Sequence, residues 1–297
     1  MHPPASPTGA ERDAELDASS RAPAHLLSAR TLFADAGWRF LTRVGAGGSA
    51  EVWHARDPHG REVALKLSRV APQPGTATPL AREHELLACL DHPHIVATLG
   101  LAERGGACAL ALEYLPGGDL VALAGASPRH WLPAARELHA ALEHLHSRGY
   151  AHRDVKARNV LFDARGRARL IDFASALPIG ERAPSGGTTS AHRHPGQAAT
   201  VTAAHDWYAF AVLLYELFTG RLPYGPAGRP TAHSSVPVAT PRPPAGRHGE
   251  PAAAALADRV LEVLEADGPA APGLSEFADV LESATAAYAA PRRFDRA

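Results

Sequence analysis

The sequence predicts an α+β protein with a small β-rich lobe followed by a larger helical lobe. Three observations carry this reading. Strand-like alternation broken by turn signals is confined to residues 38–112, apart from one short helical pattern. Helical spacing of Leu and Phe takes over after Pro116-Gly117-Gly118, and there is no internal repeat. At 297 residues the chain can bury a core without covalent staples.

Each element follows from local pattern. Residues 1–30 are rich in Pro, Ala, Ser and charge without sustained periodicity, and are expected to form a mobile leader. Regular structure is expected from Trp38: Trp38–Val44 alternates as a half-buried strand, and Glu51–Ala55 resumes after a Gly-rich gap. Asp57-Pro58-His59-Gly60 is a turn, Val63–Leu67 a third strand, Leu80–Leu90 a helix, and two more strands run to about Leu112. A hinge is expected at 113–118. Leu138, Leu142 and Leu145 then mark a helix ending before Gly149, and Phe210, Leu213, Leu214 and Leu217 another ending before Gly220. Residues 223–252, loaded with Pro, Gly and His, read as a long irregular connection, followed by helices over Ala252–Ala266 and Leu274–Ala287. The expected division is a leader (1–30), one domain over 31–290 with lobes at about 31–112 and 119–290, and a tail (291–297).

Composition excludes several classes. Thirty Lys+Arg against 31 Asp+Glu lack the basic footprint of a nucleic-acid binder. Two cysteines exclude a disulfide framework. No apolar run reaches membrane-spanning length and the N-terminus lacks signal-peptide regions, so a cytoplasmic setting is expected. The basic residues divide into 28 Arg and 2 Lys, Lys66 and Lys156, and asparagine occurs once, at Asn159. In a chain so biased, the survivors mark positions where a guanidinium or another side chain cannot substitute.

Their surroundings bear this out. Gly45-Ala46-Gly47-Gly48-Ser49-Ala50 lies between two strands, where missing Cβ atoms let backbone amides approach phosphate oxygens. Lys66 closes a V-A-L-K run on the third strand, and Glu83 in the next helix can fix an ammonium that holds phosphates. His152-Arg153-Asp154-Val155-Lys156-Ala157-Arg158-Asn159, with Asp172-Phe173-Ala174 beyond it, supplies what phosphoryl transfer needs: a carboxylate for the attacking hydroxyl, oxygen ligands for a magnesium ion and a cation for the migrating group.

On these motifs the chain resembles the eukaryotic-type protein kinases over roughly residues 38–289, most closely bacterial serine/threonine kinases. The resemblance implies a bilobal kinase fold and transfer of the γ-phosphate of ATP to Ser/Thr hydroxyls of protein substrates, with Mg²⁺ or Mn²⁺ as cofactor. It implies Asp154 as catalytic base, Lys156 at the γ-phosphate, Lys66 at the α/β-phosphates with Glu83 as its ion-pair partner, and Asn159 and Asp172 as metal ligands. Gly45, Ala46, Gly47, Val52, Ala64, Leu112, Glu113, Leu115 and Asp119 would line the nucleotide. Gly187-Thr188 resembles the substrate-docking segment, and Asp206 the aspartate that braces the catalytic loop; an Asp ahead of an apolar helix is also a common N-cap. Arg153 would pair with a phosphorylated loop, for which Thr188, Thr189, Ser190, Thr200 and Thr202 are candidates. No oligomeric state is assigned.

Four positions depart from the family pattern: Ala50 and Ala174 replace glycines, Ala157 a proline, and Gly196 the glutamate ending the activation segment. Ala271 stands where that glutamate's arginine partner would be, so the pair is expected to be replaced by packing at both ends. Ala174 is expected to disfavour loop states that need positive φ there. Two rival readings remain at this point: a pseudokinase acting as a binding module, and a small-molecule phosphotransferase.

Overall fold

A computed structural model of the chain describes residues 24–47, 50–68, 77–183, 200–223, 251–265 and 274–289. The chain divides into two units, Met1–His84 with Leu99–Glu113 and Glu85–Thr98 with Tyr114–Ala297.

The first unit is built on a five-stranded sheet. Its elements, with the segment that links them, are α1 (Ala24–Asp35), β1 (Arg39–Ala46), β2 (Ala50–Arg56), β3 (Glu62–Ser68), α2 (Pro79–Ala88), β4 (Thr98–Arg104) and β5 (Ala107–Glu113), with strand order β1-β2-β3-β5-β4. Successive strand residues point to opposite faces, and here the two faces have different tasks. Val63, Leu65 and Leu67 of β3, with Ala55, Ala109 and Ala111, pack against Phe33 of α1 as the core. The register pairs Val52 with Lys66 and Ala64 with Leu112, so these four share the opposite face.

The helix α1 corrects the expectation of a leader to residue 30 and of regular structure only from Trp38. Ala29 and Phe33 are buried, and the Arg30 guanidinium lies 4.1 Å from the Trp53 ring centroid and 5.5 Å from that of Phe40. Such cation–π contacts and apolar burial order a helix through partners distant in sequence. Local periodicity does not carry that information.

In the second unit, α3 (Pro128–Ser147) opens with Pro at its first position and is followed by Gly149 at φ +81°. The short strands β6 (Tyr150–Ala151), β7 (Val160–Phe162), β8 (Ala168–Leu170) and β9 (Leu177–Pro178) pair as β6–β9 and β7–β8. At two or three residues each they lack a readable alternation, and the sequence did not announce them. Helices α4 (Ala204–Thr219), α5 (Pro251–Glu265) and α6 (Leu274–Ala289) follow. Nearly every residue of α4 from His205 to Phe218 is buried, which makes it the central helix of this unit. It ends on Gly220 at φ +74°, whose N–H donates to the Glu216 carbonyl.

One local device recurs. In the β2–β3 turn Asp57 Oδ1 accepts the N–H groups of His59 and Arg61 while Oδ2 meets Arg61 Nε; in the β7–β8 turn Asp163 treats Arg165 and Arg167 in the same way. The shared pattern is D-x-x-G-R, with glycine at positive φ. The second of these turns holds the hairpin that follows the Asp154–Asn159 loop.

Because Phe33 lies within the first unit's core, Phe33→Ala is expected to cost about 3–5 kcal/mol of stability in urea unfolding. A loss under about 1 kcal/mol would mean that α1 is an appendage.

Candidate active site

In the first unit, Lys66 Nζ donates to both carboxylate oxygens of Glu83, at 2.9 and 2.8 Å, with both side chains more than nine-tenths buried. The strand fixes the lysine's face and α2 presents the glutamate. A buried ammonium needs such a partner, since an unpaired charge there is costly. Gly45 pairs with Val52 across β1 and β2, and Gly47 N–H donates to the Ala50 carbonyl at 2.9 Å. Neither glycine has positive φ, and a Cβ would meet its neighbours no closer than 3.7 Å at Gly45 and 4.0 Å at Gly47. Folding does not demand glycine at either place. Leu112 is buried and Glu113 partly exposed at the end of β5.

In the second unit, the loop from His152 to Asn159 is pinned from beneath by one carboxylate. Asp206 is fully buried; its Oδ2 accepts the His152 N–H and its Oδ1 the Arg153 N–H, each at 2.7 Å, while His146 Nε2 lies 2.8 Å from Oδ2. Asp206 is the third residue of α4, whose N-cap is Ala203, so the side chain braces the loop and does not cap the helix. His146, in the last turn of α3, was not singled out from sequence; a histidine closing a helix six residues before His152 was the available signal.

Above this anchor the polar groups are ordered. His152 Nδ1 accepts the Asp154 N–H at 3.3 Å, and its Nε2 lies 3.0 Å from the Ile171 carbonyl. The His152 ring meets Phe173 edge-on at 4.8 Å. Asp154 Oδ2 accepts from Lys156 Nζ at 2.5 Å and from Asn159 Nδ2 at 2.9 Å, and the same Nδ2 reaches the Asp154 carbonyl at 2.8 Å. Among the described residues no donor reaches Asp154 Oδ1. Ile171 N–H donates to the Asn159 carbonyl at 2.9 Å, which seats Asp172 beside Asn159. Leu115 is buried, and Asp119 precedes a 3₁₀ turn over Leu120–Leu123.

Two non-glycine residues among those described have positive φ, Arg153 (66°) and Asp172 (64°), and both belong to this loop system. Such a conformation costs about 1–3 kcal/mol per residue and persists where the surroundings impose it. For Arg153 the constraint is the Asp206 bond to its N–H. Ala174 sits in a 3₁₀ turn over Phe173–Ser175 without positive φ, so alanine is unstrained in this state of the loop. Gly48, Ser49, the Gly187-Thr188 segment with Thr189 and Ser190, the 224–250 stretch and the Gly196–Ala271 pairing lie outside the described residues. Of the loop hydroxyls, Thr200 and Thr202 are described; Thr200 bridges to Arg182.

Burial acts to raise the Asp206 carboxyl, but the hydrogen bond and charge of His146, the charge of His152 and the Arg153 amide outweigh it and hold it below its ordinary 3.8. A carboxyl lowered on folding stabilises the native state above its unfolded value and loses that contribution as pH falls through the folded one. Asp206→Asn is therefore expected to be less stable than wild type in urea at pH 7, with the gap constant down to about pH 4 and closing below it. A gap still undiminished at pH 3 contradicts this.

Comparison with known proteins agrees with the geometry. The protein kinase domain family matches residues 38–248. The serine/threonine-protein kinase pkn2 of Myxococcus xanthus is 32% identical over 290 residues, covering 89% of this chain and 34% of that protein. PrkC of Bacillus subtilis is 31% identical over 206 residues (63% of this chain, 31% of that protein), and PknE of Mycobacterium bovis 32% over 231 (73% and 40%). The chain thus spans about a third of the length of these relatives. With residues 38–248 of its 297 matched by the protein kinase domain, this chain belongs to the protein kinase family.

Proposed function

We propose that the chain is an active serine/threonine protein kinase that transfers the γ-phosphate of ATP to hydroxyls of proteins, itself included. The observation that carries this is Asp154: its Oδ2 is held by Lys156 and Asn159 while Oδ1 has no donor among the described residues. A carboxylate fixed on one oxygen and open on the other can orient a hydroxyl and take its proton. Lys156, already beside it, supplies a cation for the phosphoryl group in transit.

The donor set suits a magnesium ion. Asn159 commits its NH₂ to Asp154, which turns its amide oxygen away, and Asp172 adds a carboxylate one residue beyond the Ile171–Asn159 bond. Two hard oxygens fit a cation that keeps waters and takes its other ligands from phosphates. Such an ion neutralises phosphate charge. On the other unit, Glu83 holds Lys66, the ammonium we assign to the α/β-phosphates, and Gly45 and Gly47 bring no Cβ to the Gly-rich turn that phosphates would approach. Val52, Ala64 and Leu112 share the Lys66 face and supply apolar surface for a base, and Glu113, Leu115 and Asp119 follow at the chain segment that the family uses for adenine and ribose.

Lysine two places after Asp154 and the serine/threonine names of the relatives support Ser/Thr acceptors. The intact Lys66, Glu83, Asp154, Asn159 and Asp172 weigh against the pseudokinase reading. No helix of the described residues is long and apolar enough to cross a membrane, and a cytoplasmic setting remains part of the proposal.

The test is phosphate transfer from labelled ATP, to the chain itself and to a generic protein acceptor, with magnesium or manganese. Wild type should transfer; Asp154→Asn should lose about 10²–10⁴-fold in rate while still binding ATP. Lys66→Arg should retain less than about a tenth of the rate, because a planar guanidinium does not fit the ammonium's place beside Glu83. ATP binding without transfer by wild type would favour the binding-module reading.

A further inference from the structure

The sequence holds 17 histidines, and three of them meet away from the loop described above. His92 and His94 belong to the segment between α2 and β4, and His144 to the last turn of α3. The His92 and His144 rings stack, centroids 4.9 Å apart at 24°, and His94 meets His92 at 5.6 Å and 63°. All three lie in the second unit.

The hydrogen bonds dictate which ring can carry charge. His92 Nδ1 accepts the backbone N–H of His94 at 3.3 Å, so this nitrogen must keep its lone pair. A second proton on His92 would face that N–H and break the bond. His144 Nε2 is buried with no hydrogen-bond partner among the described residues, so a charged His144 would bury an unsatisfied donor. His94 Nδ1 lies 3.1 Å from the Ala168 carbonyl and 3.9 Å from Glu137 Oε2.

The charged groups around His92 are Asp91 and His94 on its own segment, His144 from α3 and Arg169 from β8. Arg169 is accompanied by Asp163 at 3.7 Å. Burial first, then the charges of His144, His94 and Arg169, outweigh Asp91 and hold His92 below its ordinary 6.5.

We propose that the His92–His144 stack is a proton-operated latch, fastening residues 91–94 to α3 when both rings are neutral and releasing them on protonation. The segment is not held by the stack alone. Leu170 N–H donates to the His94 carbonyl at 2.8 Å, and Val96 N–H to the Leu170 carbonyl at 3.0 Å. Release is therefore local: the His92 end lifts from α3 while residues 94–96 stay on β8. Residues 91–94 begin three residues after the end of α2 at Ala88, so acidification loosens the chain between that helix and β4.

The sign follows from which state binds the proton. A His92 held neutral in the closed segment takes up its proton on opening, so opening becomes easier as pH falls below about 6.5. The test is amide hydrogen exchange of the peptide covering residues 90–98 between pH 8 and 5, corrected for the intrinsic pH dependence of exchange. In wild type the opening constant should be flat above pH 7 and rise by up to tenfold per pH unit below 6.5 for each proton taken up. In His92→Phe/His144→Phe, which keeps two stacked rings without a titrating nitrogen, it should stay flat. A rise of equal size in the double variant, or none in wild type, overturns the proposal. Should the double variant fail to fold, the imidazole resonances of wild type decide: His92 must titrate below 6.5, and a value at or above 6.5 refutes the latch.

Discussion

The Asp206 carboxylate is the constraint on which the second unit's functional loop depends. It is fully buried, and it spends its two oxygens on consecutive backbone amides, those of His152 and Arg153. A buried carboxylate is costly unless its lone pairs are met by donors. The amides of a loop that has left helical and strand pairing need acceptors in turn. Each requirement satisfies the other, and His146 adds a third donor from α3. One side chain thereby ties the central helix, the helix before it and the loop between.

That anchor explains how the loop tolerates its backbone. Arg153 takes positive φ directly after the pinned His152, and the turn it makes brings Asp154 under the Lys156 and Asn159 side chains. His152 carries the order onward by contacting the Ile171 carbonyl and the Phe173 ring, so the Asp172 segment is placed from the same base. In the first unit a different economy operates: the alternation of β3 gives Val63, Leu65 and Leu67 to the core and leaves Lys66 on the other face for Glu83. Positioning there comes from strand parity and one ion pair.

Much of this was legible in the sequence because it is encoded locally. The first strands of the first unit show strand-like alternation between turn signals, α3 and α4 have helical spacing ending before Gly149 and Gly220, and the D-x-x-G-R turn at Asp57 reads as a turn. The scarcity of lysine and asparagine singled out Lys66, Lys156 and Asn159, all three of which the structure places in polar contacts with Glu83 or Asp154. What was not legible rests on distant partners. Helix α1 is ordered by Phe33 entering a core made of strands further along the chain, and His146 gains its importance only because Asp206, sixty residues later, returns to it. Strands of two or three residues have no period to detect. Asp206 itself was open to two readings, helix cap or brace, until its hydrogen bonds decided between them.

The most direct measurement of this account is hydrogen exchange at the His152 and Arg153 amides, resolved by residue, in wild type and in Asp206→Asn. If the carboxylate is what holds the loop, both amides should be strongly protected in wild type. In the variant, whose side chain offers one acceptor oxygen in place of two, at least one amide should lose most of its protection while the interior of α4 keeps its own. Equal protection of both amides in the two proteins would contradict the account, since the loop would then be held by something other than Asp206.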